Sequence, residues 1–208
     1  MNVIGVDEAG KGDYFGYLVV SAVLLDDKGA DFLKKEGVRD SKNVSDNKIH
    51  KLALIVKKHP HAIVKISPEK YNALYKKFKS LNIMLAWGHA RAIENVLEKN
   101  KADLVISDKF ADEDILKKQL MEKGKKTKLI QKINAETETC VAAASILARD
   151  EFLTTLRKLS NEIGYPLPKG STHVKEAAKA IIAKHGEDAL KYTAKLHFKI
   201  TKQLIGNH

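Results

Sequence analysis

The chain has little of what would place it in several common functional classes. Among its 208 residues there is one cysteine, Cys140, which excludes an internal disulfide and cannot by itself build a zinc site. It has only four prolines, and we find no internal repeat, low-complexity tract or long linker. No apolar run approaches the roughly 18 residues that a membrane span needs. The opening, MNVIGVDEAG, lacks the charged segment and apolar stretch of a signal peptide. Together these absences predict a reducing, cytoplasmic setting and no membrane partner.

What the chain has in excess is positive charge. Lys and Arg number 37 against 26 Asp and Glu, a formal net charge of +11. Such an excess suits a polyanionic partner. A lysine-rich surface kept for solubility has the same count, so charge suggests nucleic acid without establishing it. The length allows one compact domain with a real hydrophobic core, and 44% hydrophobic with 30% charged residues is ordinary for a soluble α/β protein.

Residues 2–7 and 17–25 read as short, β-branched strands divided by the glycine-dense turn GKGDYFG. HAIVKIS (61–67) is a third strand. Ser67-Pro68-Glu69 then reads as a helix N-cap with proline at the first position. From Leu81 onward, Leu81, Met84, Leu85, Ile93, Val96 and Leu97 share one helical face. ADLVIS (102–107) is a fourth strand ending at Asp108, with a helix near 112–123 and a fifth strand near 127–133. Val141, Ala144, Ala148, Phe152, Leu156 and Leu159 mark a long helix, and a helical tail follows YPLPKGST. Two hairpin-linked strands followed by β-α-β units predict an α/β fold, a mixed sheet flanked by helices. The economical organisation is one domain over 1–208, with a core of about 1–160 and a C-terminal helical extension of about 161–208.

Acidic residues fall at strand ends. Asp7 and Glu8 close the first strand, Asp108 follows the fourth, and Glu136 lies just past the fifth. Ligands collect at such ends in α/β sheets. Carboxylates brought to one point repel unless a cation neutralises them, and oxygen ligands without Cys or His select Mg²⁺ or Mn²⁺ over zinc. Acidic strand ends are also common as solvated turns. A second tension is geometric: adjacent strand residues face opposite sides. Either the strand ends between Asp7 and Glu8, or Glu8 contributes from a bent backbone or through its carbonyl.

Gly5 to Gly12 nearly spells a phosphate-binding P-loop. Position 12 is Gly, however, so the hydroxyl that would hold Mg²⁺ is missing. A strand follows where a P-loop must open into a helix.

Read as one phrase, VDEAGKGDYFGYLVVSAV resembles the opening motif of the type 2 ribonucleases H, particularly the ribonuclease HIII branch. Asp40-Ser41-Lys42, LNIMLAWGHARAIENVL, VISDKF, NAETETCVAAASILAR, LPKGST and KLHFK resemble further family segments, in family order from residue 3 to about 199. The resemblance implies a ribonuclease H-like fold with a five-stranded mixed sheet. It implies an endonuclease that cuts the RNA strand of an RNA–DNA hybrid duplex with two Mg²⁺ or Mn²⁺ ions, leaving 5′-phosphate and 3′-hydroxyl ends. Carried over residue by residue, Asp7, Glu8, Asp108 and Glu136 would be the catalytic, metal-binding carboxylates, with Asp150 the rival for the fourth place against a reading as the exposed face of its helix. Gly10, Lys11 and Gly12 would face the RNA strand, where only glycine lets backbone approach the 2′-OH so closely. Ser41, Lys42, Lys169 and Ser171 would hold phosphates. Tyr17 stands where the family usually has Pro, and the N-terminal substrate-binding domain typical of the HIII branch is expected to be absent. No organic cofactor is implied, and a monomer is expected.

Other residues have simpler readings. Trp87 and Cys140 read as packing groups, His89 as a structural hydrogen-bonding residue, and His197 as packing. Tyr165, near LPKG, is a candidate sugar contact. Two competing classes remain open at this stage: a non-catalytic hybrid-binding module, and a DNA nuclease or resolvase of related fold.

Overall fold

The computed structural model describes residues 1–39 and 44–206, the side chain of Glu136 excepted. The strands are β1 (Val3–Ala9), β2 (Leu18–Leu25), β3 (His61–Ile66), β4 (Leu104–Asp108) and β5 (Lys128–Lys132). Among the described residues the helices are α1 (Asp27–Lys35), α2 (Asp46–Val56), α3 (Pro68–Phe78), α4 (Leu81–Leu97), α5 (Glu113–Gln119), α6 (Thr139–Ile163), α7 (Lys175–His185), α8 (Ala189–Thr193) and α9 (Lys199–Ile205). β1 and β2 pair antiparallel, whereas β1–β4 and β4–β5 are parallel, giving a mixed sheet of order β3-β2-β1-β4-β5. This is the sheet expected from the sequence.

Burial explains why β2 carries no polar–apolar alternation. All eight of its residues are buried, as a strand covered on both faces requires. On one face Ile4, Val6, Val20, Ala22 and Leu24 share a core with Ala86, Ala90, Ile93 and Val96 of α4. On the other lies the start of α6. A Cβ on Gly5 would stand 2.1 Å from the backbone carbon of Cys140, so only glycine lets β1 and α6 approach this closely. Ser21 of β2 donates to the Ala144 carbonyl of α6 on the same side. The expected cap at Ser67 is present, with its hydroxyl accepting from Lys70 N–H and Pro68 in the first turn of α3.

The residues cluster into two compact units. One comprises 1–9, 19–64 and 80–150, and the other 10–18, 65–79 and 151–208. The second unit joins the glycine-rich turn and α3 to the C-terminal helices. Asn72 of α3 ties it internally: its amide donates to the Lys191 and Ala194 carbonyls and its oxygen accepts from Leu196 N–H.

Candidate active site

Strand register decides which acidic residues can meet. Asp7 lies opposite Ser21, and Ser21 bonds to α6, so Asp7 projects from the α6 face. Glu8 lies opposite Val20, whose side chain packs against Gly88 of α4, so Glu8 projects from the α4 face. There its Oε2 is 2.8 Å from Nε2 of the fully buried His89, whose Nδ1 is 3.2 Å from Ser107 Oγ. β1 does not end between the two carboxylates, because its ladder with β2 continues to Ala9. His89 is thus a hydrogen-bonding residue, as its sequence context suggested.

The same register pairs Asp7 with Asp108. Val6 is aligned with Ser107 across β1 and β4. The next residues, Asp7 and Asp108, therefore stand side by side on the α6 face at the carboxyl ends of parallel strands. Asp7 is buried and Asp108 half-buried. Asp108 Oδ1 accepts from Ala135 N–H at 3.0 Å, pinning the 3-10 turn Ala135–Thr137 that carries Glu136. Asn134 enters that turn in the left-handed region, φ 55°, which asparagine tolerates better than most residues. The Glu136 side chain itself lies outside the described residues. Among the described residues, no three His, Cys, Asp or Glu side chains gather as one metal-binding group.

Two neighbours of this face, Lys132 and Glu138, escaped sequence reasoning. Lys132 is aligned with Asp108 across β4 and β5, and its Nζ pairs with Glu138 Oε1 at 2.5 Å. Only the parallel register could have revealed that cation. Cys140 is buried, and burial, with Glu138 nearby, pushes its thiol up to about 11. It is a packing group and a poor metal ligand. The donors available here are carboxylate oxygens, the set that suits Mg²⁺ or Mn²⁺.

Asp150 departs from the exposed placement its helical position implied. It is not on an exposed helix face but buried, with Oδ1 2.9 Å from His50 Nδ1 and Oδ2 3.0 Å from Lys57 Nζ. The apolar side of α2 (Ile49, Leu52, Ala53, Val56) is buried, and these two bonds fasten it to α6. Both oxygens of the rival carboxylate are therefore engaged.

Within the second unit, Gly10 is buried at φ 89°, and a Cβ there would lie 2.2 Å from the Tyr17 carbonyl. Lys11 and Gly12 are exposed, and a Cβ on Gly12 would meet nothing within 4 Å. β2 follows this turn, so no P-loop helix is present. Lys169 and Ser171 are exposed on the turn before α7. Ser41 and Lys42 lie outside the described residues. Trp87 is half-buried on α4, and His197 stacks on Tyr75 with ring centroids 4.6 Å apart. Tyr165 lines a cleft of about 560 Å³ with Arg157, Ser160 and Asn161. Lys195 is fully buried, and burial pushes its ammonium down to about 7, with Asp13 opposing.

Residues 4–201 match the family model for ribonuclease HII. The chain belongs to the ribonuclease HII family. It is 44% identical over 205 residues to the ribonuclease HIII of Protochlamydia amoebophila, covering 98% of this chain and 68% of that protein. The ribonuclease HIII of Chlamydia pneumoniae is 45% identical over 203 residues, covering 94% and 67% respectively. Among solved structures, Bst-RNase HIII in complex with Mn²⁺ superposes with a TM-score of 0.91 at 32% identity, over 99% of this chain and 69% of that one. The ribonuclease H2 of Pyrococcus horikoshii shares the fold, with a TM-score of 0.84 at 22% identity over 98% and 97%. This member of the ribonuclease HII family is a metal-dependent ribonuclease H, and its sheet is the ribonuclease H-like sheet that its motifs implied.

Proposed function

We propose that this chain hydrolyses the RNA strand of RNA–DNA hybrid duplexes internally, leaving 5′-phosphate and 3′-hydroxyl ends, with Asp7, Glu8, Asp108 and Glu136 as its acidic set. One observation carries the reading: the alignment of Val6 with Ser107 puts the next residues, the buried Asp7 and the half-buried Asp108, on one face at the carboxyl ends of β1 and β4. Open α/β sheets present their ligands there.

Asp7 and Asp108 supply hard oxygen donors. Glu136 rides a turn fixed to Asp108, and Glu8, its carboxylate held by His89, contributes through its main-chain carbonyl. Mg²⁺ or Mn²⁺ ions, when held by these residues, would supply Lewis acidity for attack of water on the phosphate. The Gly10-Lys11-Gly12 turn reads the ribose. Open space around Gly12 supports this, because the fold itself does not demand glycine there. Lys11, Lys169, Ser171, Ser41 and Lys42 bind phosphates. The chain works as a single catalytic domain, core about 1–160 and helical extension about 161–208, as a cytoplasmic monomer without an organic cofactor.

The test is a uniform RNA–DNA hybrid, an all-DNA duplex and a duplex with one embedded ribonucleotide, each incubated with Mg²⁺ and with Mn²⁺. Cleavage of the uniform hybrid alone, or in preference, is expected. Binding without cleavage would favour a hybrid-binding module, and cutting of the all-DNA duplex would favour a DNA nuclease or resolvase of related fold.

A further inference from the structure

A lysine is a costly residue to bury, because its long polar tip must find partners away from water. Lys195 is 0% exposed and spends its polar atoms on one short stretch of chain. Its Nζ donates to the carbonyls of Asp13 and Gly16, each at 2.8 Å, and of Phe15 at 3.4 Å. Its backbone N–H donates to the Tyr14 carbonyl at 2.8 Å. One residue therefore occupies four consecutive carbonyls, 13 to 16, directly after the Gly10-Lys11-Gly12 turn. A neutral amine can still donate the two short bonds, so this anchorage does not depend on the lysine's charge.

The far side of the same stretch holds a second turn. Asp13 Oδ1 accepts from Gly170 N–H at 2.6 Å, and Tyr14 N–H donates to the Gly170 carbonyl at 2.9 Å. Gly170 sits between Lys169 and Ser171, both exposed. The two turns, 157 residues apart from Asp13 to Gly170, are thus joined by reciprocal bonds that Lys195 backs from within.

We propose that Asp13 and Lys195 are positioning residues: they hold the Gly10-Lys11-Gly12 and Lys169-Gly170-Ser171 turns in one register, as a preformed platform for the RNA strand. The inference rests on the reading that these turns contact the hybrid. Its physical content is preorganisation: loops ordered in advance do not charge their ordering to binding.

Asp13→Ala removes the acceptor for Gly170 N–H, whereas Asp13→Asn keeps an acceptor of the same shape. For cleavage of a uniform hybrid, Asp13→Ala should raise KM about tenfold, the effect of one charge-assisted hydrogen bond, while kcat changes less than about twofold. Asp13→Asn should bring KM back to within about threefold of wild type. Lys195→Met, if folded by circular dichroism, should raise KM at least as much as Asp13→Ala. A merely structural role would lower the folded fraction and melting temperature and leave KM in place. A folded Asp13→Ala protein with wild-type KM, or an Asn variant no better than Ala, overturns the proposal. The Asp13 pair decides the matter if Lys195→Met does not fold. Wild-type enzyme runs in the same assay: its failure to cut the hybrid would sink the functional reading, whereas normal wild-type cleavage beside an unaltered Asp13→Ala KM sinks only the platform.

Discussion

His89 Nε2 stands 2.8 Å from Oε2 of Glu8, with the two side chains 0% and 3% exposed. Truncating the histidine leaves a buried carboxylate without that partner. His89→Ala should therefore lower unfolding stability by about 1–3 kcal/mol, measured by urea denaturation. A loss within error would show that water or another donor replaces the ring.

Asp7 and Asp108 are the carboxylates that share a sheet face, and each should be indispensable. Asp7→Asn and Asp108→Asn should reduce hybrid cleavage by about a thousandfold or more, several kcal/mol of transition-state stabilisation. Hybrid binding should change little. In Asp108→Asn the amide oxygen can still accept from Ala135 N–H, so loss of activity there would reflect lost charge rather than a released turn. Preserved turnover in either variant would remove that residue from the acidic set.

Gly10 and Gly12 are glycines for different reasons, and alanine separates them. At Gly10 the added Cβ meets the Tyr17 carbonyl, and the backbone is left-handed, so Gly10→Ala should cost about 1–3 kcal/mol of stability or more. Gly12→Ala should alter stability by no more than about 0.5 kcal/mol. It should raise KM for the hybrid, because a methyl group would then stand where ribose approaches. Thermal melts beside steady-state kinetics distinguish the two. A Gly12→Ala enzyme with unchanged KM would contradict the proposed ribose contact.

Cys140 should resist alkylation in the native protein. With its thiol pushed up to about 11, only about one molecule in a thousand carries the thiolate at pH 8. The folded state keeps this proton longer than the unfolded chain does, so the residue's contribution makes stability fall as pH climbs from 9.0 towards about 11. Cys140→Ala should remove that part of the alkaline decline. Rapid labelling at pH 8 without denaturant would refute the assignment.

Hybrid binding should weaken steeply with salt. A net charge of +11 supplies many lysines for phosphate contacts, and each neutralised phosphate releases a counterion. The slope of log affinity against log salt reports how many contacts form. A flat profile would mean that the positive surface is solubility charge and no more.

Much of the fold was legible because local chemistry and topology agree. The glycine-dense turn separated β1 from β2, Ser67-Pro68 opened α3, and the helical periodicity from Leu81 marked α4. The boundaries moved by a residue or two: β1 extends to Ala9, past the expected close at Asp7. The acidic positions were legible as strand ends, but their faces were not. Facing depends on register between segments about a hundred residues apart. Asp150 shows the limit most clearly: its helical position looked exposed, and only the packing of α2 brought His50 and Lys57 to it.

By itself the sequence determined the order of strands and helices, the motif set of the ribonuclease HII family, and the absence from its composition of a thiol pair and of a long apolar run. Those properties are written in neighbouring residues and in composition. Only the tertiary structure decided that Asp7 faces α6 while Glu8 turns to His89, that register puts Asp7 and Asp108 on one sheet face, and that Lys195 backs the turn beginning at Gly10. A strand alternates its faces whatever its sequence. Which face becomes a site is set by the partner that hydrogen bonding and burial bring against it, and that partner is chosen by the whole chain at once.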